Sequence, residues 1–395
     1  MKNLVSIFAG HDANISFYHA EKDKYYSIEI ERLVQKRYFR LHEDNSAEYQ
    51  KDILEQCRDI AEKEWGIEND YETVLICSDG YLNVDPRSTF NVDRAITVAR
   101  HHETHASAAF HMSPFKEALI VSYDGGGDDG HFNVYAGNQD GIKPLDRITS
   151  DFGGGYLLCG SLVREVAEKS RHQLALAGKL MGLCGYGKSI EKHVPAFQEF
   201  FFDRDYRKLA FLTELPLKNI EDPWKNPLEN WVFEGQEGYD IAATAQEAFE
   251  RAFFSVLDRY DPSVPLVLTG GCALNVLNNE KLKNKYHPRG VYVPACPSDE
   301  GLALGYVLNE TRPQKPIQHH NICPTLRDEK DFDPEFKRKG KKVTNKTICK
   351  LLAEGKVIGY VQGPSEYGPR ALGHRSILCD PYFADMKDRI NKIKH

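Results

Sequence analysis

ALIVSYDGGGDDGHFNVYAG, residues 118–137, is the stretch on which the fold turns. Its first six residues carry no charge and read as a buried strand. A glycine-rich turn, DGGGDDG (124–130), follows, and HFNVYAG resumes as a second strand. Glycine lets a backbone approach an anion closely, and successive amides of such a turn can cradle phosphate oxygens. Two further turns share this character. AGHDA (9–13) joins strands expected over 2–9 and 14–18, and TGGCALN (269–275) ends the strand begun by VPLVL. The third turn runs into a helix, whose N-terminus favours an anion.

Two hairpins followed by a strand, two glycines and a helix is the layout of actin-like, sugar-kinase-like ATPases. Neither GxxxxGK[ST] nor a Rossmann GxGxxG is present. Each turn alone also suits an ordinary hairpin, so the inference rests on the ordered set. Around it, helices are expected over 46–64, 240–258 and from about Leu274, and strands over 73–77 and 291–295. Another helix is expected to begin in GLALGYVLNE (301–310). Residues 311–345, with TRPQKPIQHH and the charged run DEKDFDPEFKRKGKK, read as a linker or a solvated excursion. After them TICKLLAEGKVIGYVQG reads as helix then strand, opening a second unit. No internal repeat of fixed period is visible.

The chain of 395 residues has a formal charge of −7, which argues against a general nucleic-acid binder. Its 41% hydrophobic content is enough for a sizeable core, yet no run nears the ~20 apolar residues of a bilayer span. The N-terminus reaches Gly10, His11 and Asp12 too soon for a signal peptide. Nine cysteines fall singly, with no CxxC, as expected for reduced thiols in a cytoplasmic protein.

RHHETHASAAF (100–110) places His101 and His105 four apart, on one face of a helix and able to share a metal. The alternative is a pair of surface or capping histidines. Asp124 ends the strand before the second glycine turn, and Asp299 lies in CPSDEG after another strand. Two imidazoles and two carboxylates suit Fe(II), Mn(II) or Zn(II). The sequence itself does not place those four together.

Six blocks taken in order resemble one family. They are HHETHASAAF, ALIVSYDGGGDD, GKLMGLCGYG (178–187), LTGGCALN, PSDEGLALG and QGPSEYGPRALGHRSIL (362–378). The chain is similar to the O-carbamoyltransferases of the NodU/CmcH type, which modify nodulation factors, cephalosporins and aminoglycosides. The resemblance implies an α/β, two-lobed, actin-like ATPase (ASKHA, Kae1-like) domain over residues 1–330. An incomplete YrdC-like α/β segment would follow over 346–395. The YrdC-like part would make carbamoyl-adenylate from carbamoyl phosphate and ATP. The Kae1-like part, holding Fe(II) or a similar divalent ion, would pass the carbamoyl group to a hydroxyl of a small-molecule acceptor.

Carried over by position, the resemblance implies His101, His105, Asp124 and Asp299 as metal ligands and His11 and Asp12 as catalytic residues. It implies Gly125, Gly126, Gly127, Asp129, Lys179, Gly182, Gly270, Gly271 and Asn275 around the nucleotide, and Arg370 and Arg375 at carbamoyl phosphate. Lys179 also reads simply as a solvated helix lysine. Gln362-Gly363-Pro364 stands where the family has Gln-Gly-Arg, so one cationic fork is missing. About 50 residues after 345 are too few for a core of their own. Formation of carbamoyl-adenylate by this chain alone is therefore not expected. A second copy, or a partner supplying the rest of the YrdC-like domain, is the expected remedy. Acceptor specificity is expected in loops such as 190–235, whose aromatics suit a sugar or flat ring. Two other readings stay open: threonylcarbamoyl-type transfer to tRNA, and a non-catalytic ATP-binding regulatory protein.

Overall fold

Two five-stranded mixed sheets face each other across a pair of helices in the computed structural model. The structure describes residues 2–41, 46–77, 82–203, 231–261, 263–286, 289–317, 321–325, 341 and 343–393. The first sheet is ordered β3-β2-β1-β4-β5, from strands Asn3–Phe8, Asn14–His19, Lys24–Glu29, Tyr71–Cys77 and Val92–Val98. The second is ordered β10-β9-β6-β7-β8, from Ala118–Tyr123, Phe132–Asn138, Gly141–Arg147, Leu266–Thr269 and Val291–Tyr292. In each, three strands meander antiparallel and two more add in parallel beside the first. β6 is thus the counterpart of β1, and β9 of β4. This is the two-lobed, actin-like α/β architecture expected from the glycine turns. The duplication lies in topology and leaves no repeat in sequence.

The expected elements appear with shifted ends. The helix expected over 240–258 starts earlier and spans Gly235–Leu257. The strand expected over 291–295 is only Val291–Tyr292. Helix Ala47–Ile60 is capped by the Ser46 side chain, which accepts from the Tyr49 amide. Each lobe has its own core. One gathers Phe17, Trp65, Tyr71 and Phe90; the other gathers Phe132, Phe152, Phe201, Phe249 and Phe253. Between the sheets, helices His101–Met112 and Leu302–Thr311 cross in close contact. A Cβ on Gly305 would stand 2.3 Å from the Thr104 carbonyl oxygen, so only glycine permits this approach.

The interval 311–345 is not wholly a solvated excursion. Ile322 and Cys323 are buried, and the Ile322 carbonyl accepts from the Ser27 amide at 3.0 Å. Residues 318–320, 326–340 and 342 lie outside the described residues. The segment after 362 also packs into the first domain. Tyr367 is fully buried among Leu4, Leu304 and Cys323, and its hydroxyl donates to the Glu300 carbonyl. Arg32 donates to the Glu366 carbonyl at 3.1 Å and the Gly368 carbonyl at 2.5 Å. By contrast, helix Asn345–Ala353 has no buried residue, and strands Ile358–Val361 and Arg375–Leu378 form a two-stranded sheet. Val361, Ile377 and Tyr382 are exposed there. Among the described residues no helix is long and apolar enough to cross a membrane.

His111, near the end of the histidine helix, carries a pH dependence. Burial and then the Arg312 charge lower its pKa from the usual 6.5 to about 4. The unfolded chain takes up that proton near 6.5 and the folded chain only near 4. Stability from this group is therefore present above pH 6.5 and lost as pH falls toward 4, by about 2–3 kcal/mol. Urea unfolding at pH 7 and pH 5 should show the loss in the native chain and a smaller one in His111→Gln.

Candidate metal centre

Helix His101–Met112 begins without a side-chain cap from Arg100. The second glycine turn supplies the missing acceptors. Asp128 accepts from the His101 amide at 2.8 Å, and Asp129 from His102 at 2.8 Å and Glu103 at 3.3 Å. Orphan donors are thereby satisfied and negative charge sits at the positive helix end. His102 locks the same junction from its side chain. Its Nε2 lies 2.9 Å from the Gly130 carbonyl and its Nδ1 2.8 Å from Ser122 Oγ. A carbonyl only accepts, so Nε2 donates and Nδ1 of the neutral ring accepts from the hydroxyl. Burial, then the neighbouring His101 and His105, hold His102 neutral, with its pKa down to about 4. Gly127 runs beneath the His101 ring, where a Cβ would come within 2.7 Å.

So positioned, four side chains meet. His101 Nε2 and His105 Nε2 are 3.1 Å apart. His105 Nε2 lies 3.4 Å from Asp124 Oδ2 and 3.3 Å from Asp299 Oδ1, and His101 Nε2 lies 3.6 Å from that same oxygen. All four ligand atoms fall within 4.8 Å of one another. Ligands each roughly 2.1 Å from one ion stand roughly 3.0–3.5 Å apart, so the set fits a single metal. Asp299 Oδ1 adds a second indication, being a buried carboxylate oxygen with no hydrogen-bond partner. A cation at the common point would satisfy it. Burial would raise Asp124, but hydrogen bonding to His105 and the two imidazoles hold it well below the usual carboxylate range. Burial would likewise lower His105, and Asp124 and Asp299 outweigh it, pushing it up to about 9.

The first glycine turn closes on the same centre. His11 Nε2 is 3.2 Å from Asp299 Oδ2, and its Nδ1 is 3.0 Å from Asp12 Oδ2. Burial opposes the His11 charge, yet Asp299 and then Asp12 raise its pKa to about 9. Asp12 has φ of 60°, a left-handed conformation that Asp tolerates better than most residues. Asn14 braces the turn. Its Nδ2 donates to the carbonyls of Asp12 at 2.8 Å and Asp299 at 2.9 Å, while its Oδ1 accepts from the Ala303 amide.

The remaining expected residues divide by placement. The Gly125 and Gly271 amides each donate to Asp124 at 2.6 Å, so the second and third glycine turns converge on one candidate metal ligand. Gly270 has φ of 87° and lies against the Tyr123 carbonyl, 2.2 Å from where a Cβ would be. Gly126, at φ of 156°, lies beside His131. Arg370 reaches that third turn, donating to the Leu274 carbonyl at 3.3 Å. Asp129 caps the histidine helix, as described. The Asn275 amide pairs with Gln246 at 3.0 Å in both directions and holds the helix after the turn onto helix Gly235–Leu257. Arg375 grips Glu366 at 3.1 Å and lies 4.0 Å from Glu29. Lys179 donates to the Lys169 carbonyl, and Gly182 faces open space.

Comparison with known proteins gives the family. The model of the carbamoyltransferase N-terminus matches residues 8–308, and that of the carbamoyltransferase C-terminus matches residues 349–395. The chain belongs to the carbamoyltransferase family. Among curated relatives it is 33% identical over 319 residues to the nodulation protein NolNO of Sinorhizobium fredii, covering 75% of this chain and 45% of that protein. It is 28% identical over 310 residues to a 3'-hydroxymethylcephem-O-carbamoyltransferase of Streptomyces clavuligerus, covering 74% of this chain and 56% of that protein. The chain thus spans about half the length of the curated relatives it matches. Among solved structures, full-length HypF in its phosphate- and nucleotide-bound form aligns with a TM-score of 0.42 at 14% identity, covering 78% of this chain and 55% of that one.

In this family member the third turn touches a candidate metal ligand directly. A Cβ on Gly271 would stand 2.9 Å from Asp124 Oδ1 and 3.3 Å from Ser298 Oγ. Gly271→Val should therefore weaken Co(II) binding by about tenfold or more and ATP binding with it, since both depend on close backbone approach here. Titration of each ligand against the folded variant checks this. Unchanged affinity for both would mean that neither meets this turn. Sequence reasoning missed Asn14, His102 and Asp128, whose roles are to hold other residues. Their one signal was proximity in the chain to the histidines and to Asp12.

Proposed function

We propose that this carbamoyltransferase moves a carbamoyl group from carbamoyl-adenylate to a hydroxyl of a small-molecule or sugar-like acceptor. The observation that carries the reading is the convergence of His101, His105, Asp124 and Asp299 on one point beside His11. The similarity to a cephem O-carbamoyltransferase supports the reaction type. Bound by those four residues, a divalent ion such as Fe(II) supplies Lewis-acid polarisation of a carbonyl or phosphate oxygen.

Carbamate is a poor electrophile, and adenylation gives its carbon a good leaving group. The glycine turns at Gly125–Gly127 and Gly270–Gly271, with Arg370 beside the latter, are the proposed seat of the adenylate phosphate. The acceptor oxygen attacks the carbamoyl carbon and forms the new C–O bond. The bond from that carbon to the phosphate oxygen breaks, and AMP leaves with the electron pair. His11 is the proposed base for the hydroxyl proton, oriented by Asp12 through Nδ1. A cation held by Asp124 and Asp299 would offset the field that raises His11 and leave its imidazole neutral.

The test is incubation of the Fe(II)-loaded chain with carbamoyl-adenylate and a panel of hydroxyl compounds, read by mass spectrometry. Carbamoylated product that disappears in His11→Ala supports the reading. AMP release at equal rates with and without acceptor would count against it.

A further inference from the structure

Cations from both lobes gather on the flank of the site, and of them only Lys179 was given an expected role, beside the nucleotide. The first lobe contributes the loop after β3. There Tyr38 adopts a left-handed φ of 56°, and its amide donates to Glu31 Oε2 at 2.9 Å. Its ring stacks on His172 of the second lobe, with centroids 4.6 Å apart and planes 23° apart. The Arg37 guanidinium lies 4.7 Å from the centroid of the Tyr38 ring. Across the stack, Lys179 meets Lys169 through the carbonyl already noted, and Arg171 precedes His172 in the chain. The charges of Arg37, Lys169 and Arg171 all bear on Lys179; after burial they are what lowers its pKa.

Repulsion of this kind is costly unless something anionic offsets it. Among the described residues no carboxylate lies within ion-pair distance of Arg37, Lys169, Arg171 or Lys179. The acids nearest in sequence are engaged elsewhere. Glu168 pairs with Arg164 at 3.1 Å, Glu31 accepts from Tyr38, and Asp12 holds His11. Four cations on three separate elements, held together by a cross-lobe ring stack and a residue at positive φ, amount to a constructed surface.

We infer that Arg37, Lys169, Arg171 and Lys179 bind an anionic group, a phosphate or carboxylate, carried by the hydroxyl acceptor. The inference rests on the carbamoyl-transfer reading for the word acceptor; for the anion it rests on the cross-lobe stack, the Arg37 and Lys179 contacts and the mutual repulsion of the four charges. One observation assigns the anion to the acceptor rather than to the nucleotide. The cationic loop adjoins Glu31 and Asp12, whose charges both reach Tyr38. Asp12 belongs to the turn that carries the proposed base. An acceptor anchored there by its anion would present a hydroxyl toward His11.

The test uses the full chain and its Arg37→Gln/Arg171→Gln variant, both side chains being exposed and so removable without loss of fold. Glucose 6-phosphate, inorganic phosphate, glucose and ATP are titrated separately by calorimetry. Glucose 6-phosphate and phosphate should bind the native chain, with glucose weaker by about tenfold or more. The variant should lose about tenfold for both phosphates and keep its ATP affinity. Equal binding of glucose and glucose 6-phosphate would overturn the proposal, as would phosphate affinity unchanged in the variant. Loss of ATP affinity in parallel would reassign the cations to the nucleotide and overturn it too. Because binding is read without turnover, failure of carbamoyl transfer would sink the transfer reading while leaving the anion site standing.

Discussion

Replacing His105 by alanine should abolish stoichiometric metal binding, reducing affinity for Co(II) or Fe(II) by about a hundredfold or more. Outer residues that merely orient a ligand typically cost 10–100-fold, and a direct ligand should cost at least the upper end of that. His105 is fully buried and lies within 3.4 Å of both carboxylates and of His101. Its loss removes a donor that every other member of the set faces. It also leaves Asp124 and Asp299 as close acids with one imidazole fewer, so the metal-free variant should be less stable by about 3–5 kcal/mol. Both effects are measurable on the purified chain. Metal content by elemental analysis should fall from about one per chain toward zero, and the Co(II) absorption spectrum should vanish. Equal metal content in the native and variant chains would remove His105 from the ligand set. His102→Gln is the informative companion. It leaves all four ligands in place and disturbs only their mounting, so its loss should be smaller.

The glycine turns made the fold legible because each has to sit at a strand end facing the cleft. Three of the four candidate ligands were legible as well, since His101 and His105 share a helical face and Asp124 is the last residue before a turn. Distances were not legible. Asp299 reaches the centre only because β9 and β10 add in parallel beside β6 and bring CPSDEG over the third turn, which is a property of topology. The duplication of the sheets was invisible for a related reason. β1 and β6 occupy the same place in their sheets through pairing, and pairing constrains apolar pattern far more loosely than identity. The structural partners of several polar side chains were not legible either. Asp129, expected beside the nucleotide, caps the histidine helix. Asn275, expected there too, forms a buried amide pair with Gln246. Arg375, expected at carbamoyl phosphate, pairs with Glu366. Each meets a local backbone or side-chain demand that only the folded chain creates. Part of the region expected to set acceptor choice, residues 204–230 of 190–235, lies outside the described residues.

The 395-residue polypeptide should transfer from supplied carbamoyl-adenylate and fail, by about a hundredfold or more, with carbamoyl phosphate plus ATP. The reasoning is structural. Every residue placed at the candidate metal centre, from His11 to Asp299, lies in the two lobes, and the C-terminal stretch 364–368 packs onto them. What the structure describes beyond that stretch is a two-stranded sheet flanked by helices Asn345–Ala353 and Met386–Ile393. Val361 and Ile377 of its strands are 62% and 46% exposed, which leaves a sheet face with no core against it. Of the two arginines assigned to carbamoyl phosphate, Arg375 is engaged by Glu366, and Arg370 rests against the third glycine turn of the other site. Arg375 is thus held by the first lobe, and Arg370 points to the third turn rather than to this sheet. A polypeptide carrying the further length of the curated relatives, as a separate chain or as a fusion, should cover those strands and restore use of carbamoyl phosphate. The comparison is of product formed per chain from each donor, with and without that addition. Robust turnover from carbamoyl phosphate by the 395-residue polypeptide alone would overturn the argument. It would mean that Arg370, beside the adenylate phosphate, serves both half-reactions in a single cleft.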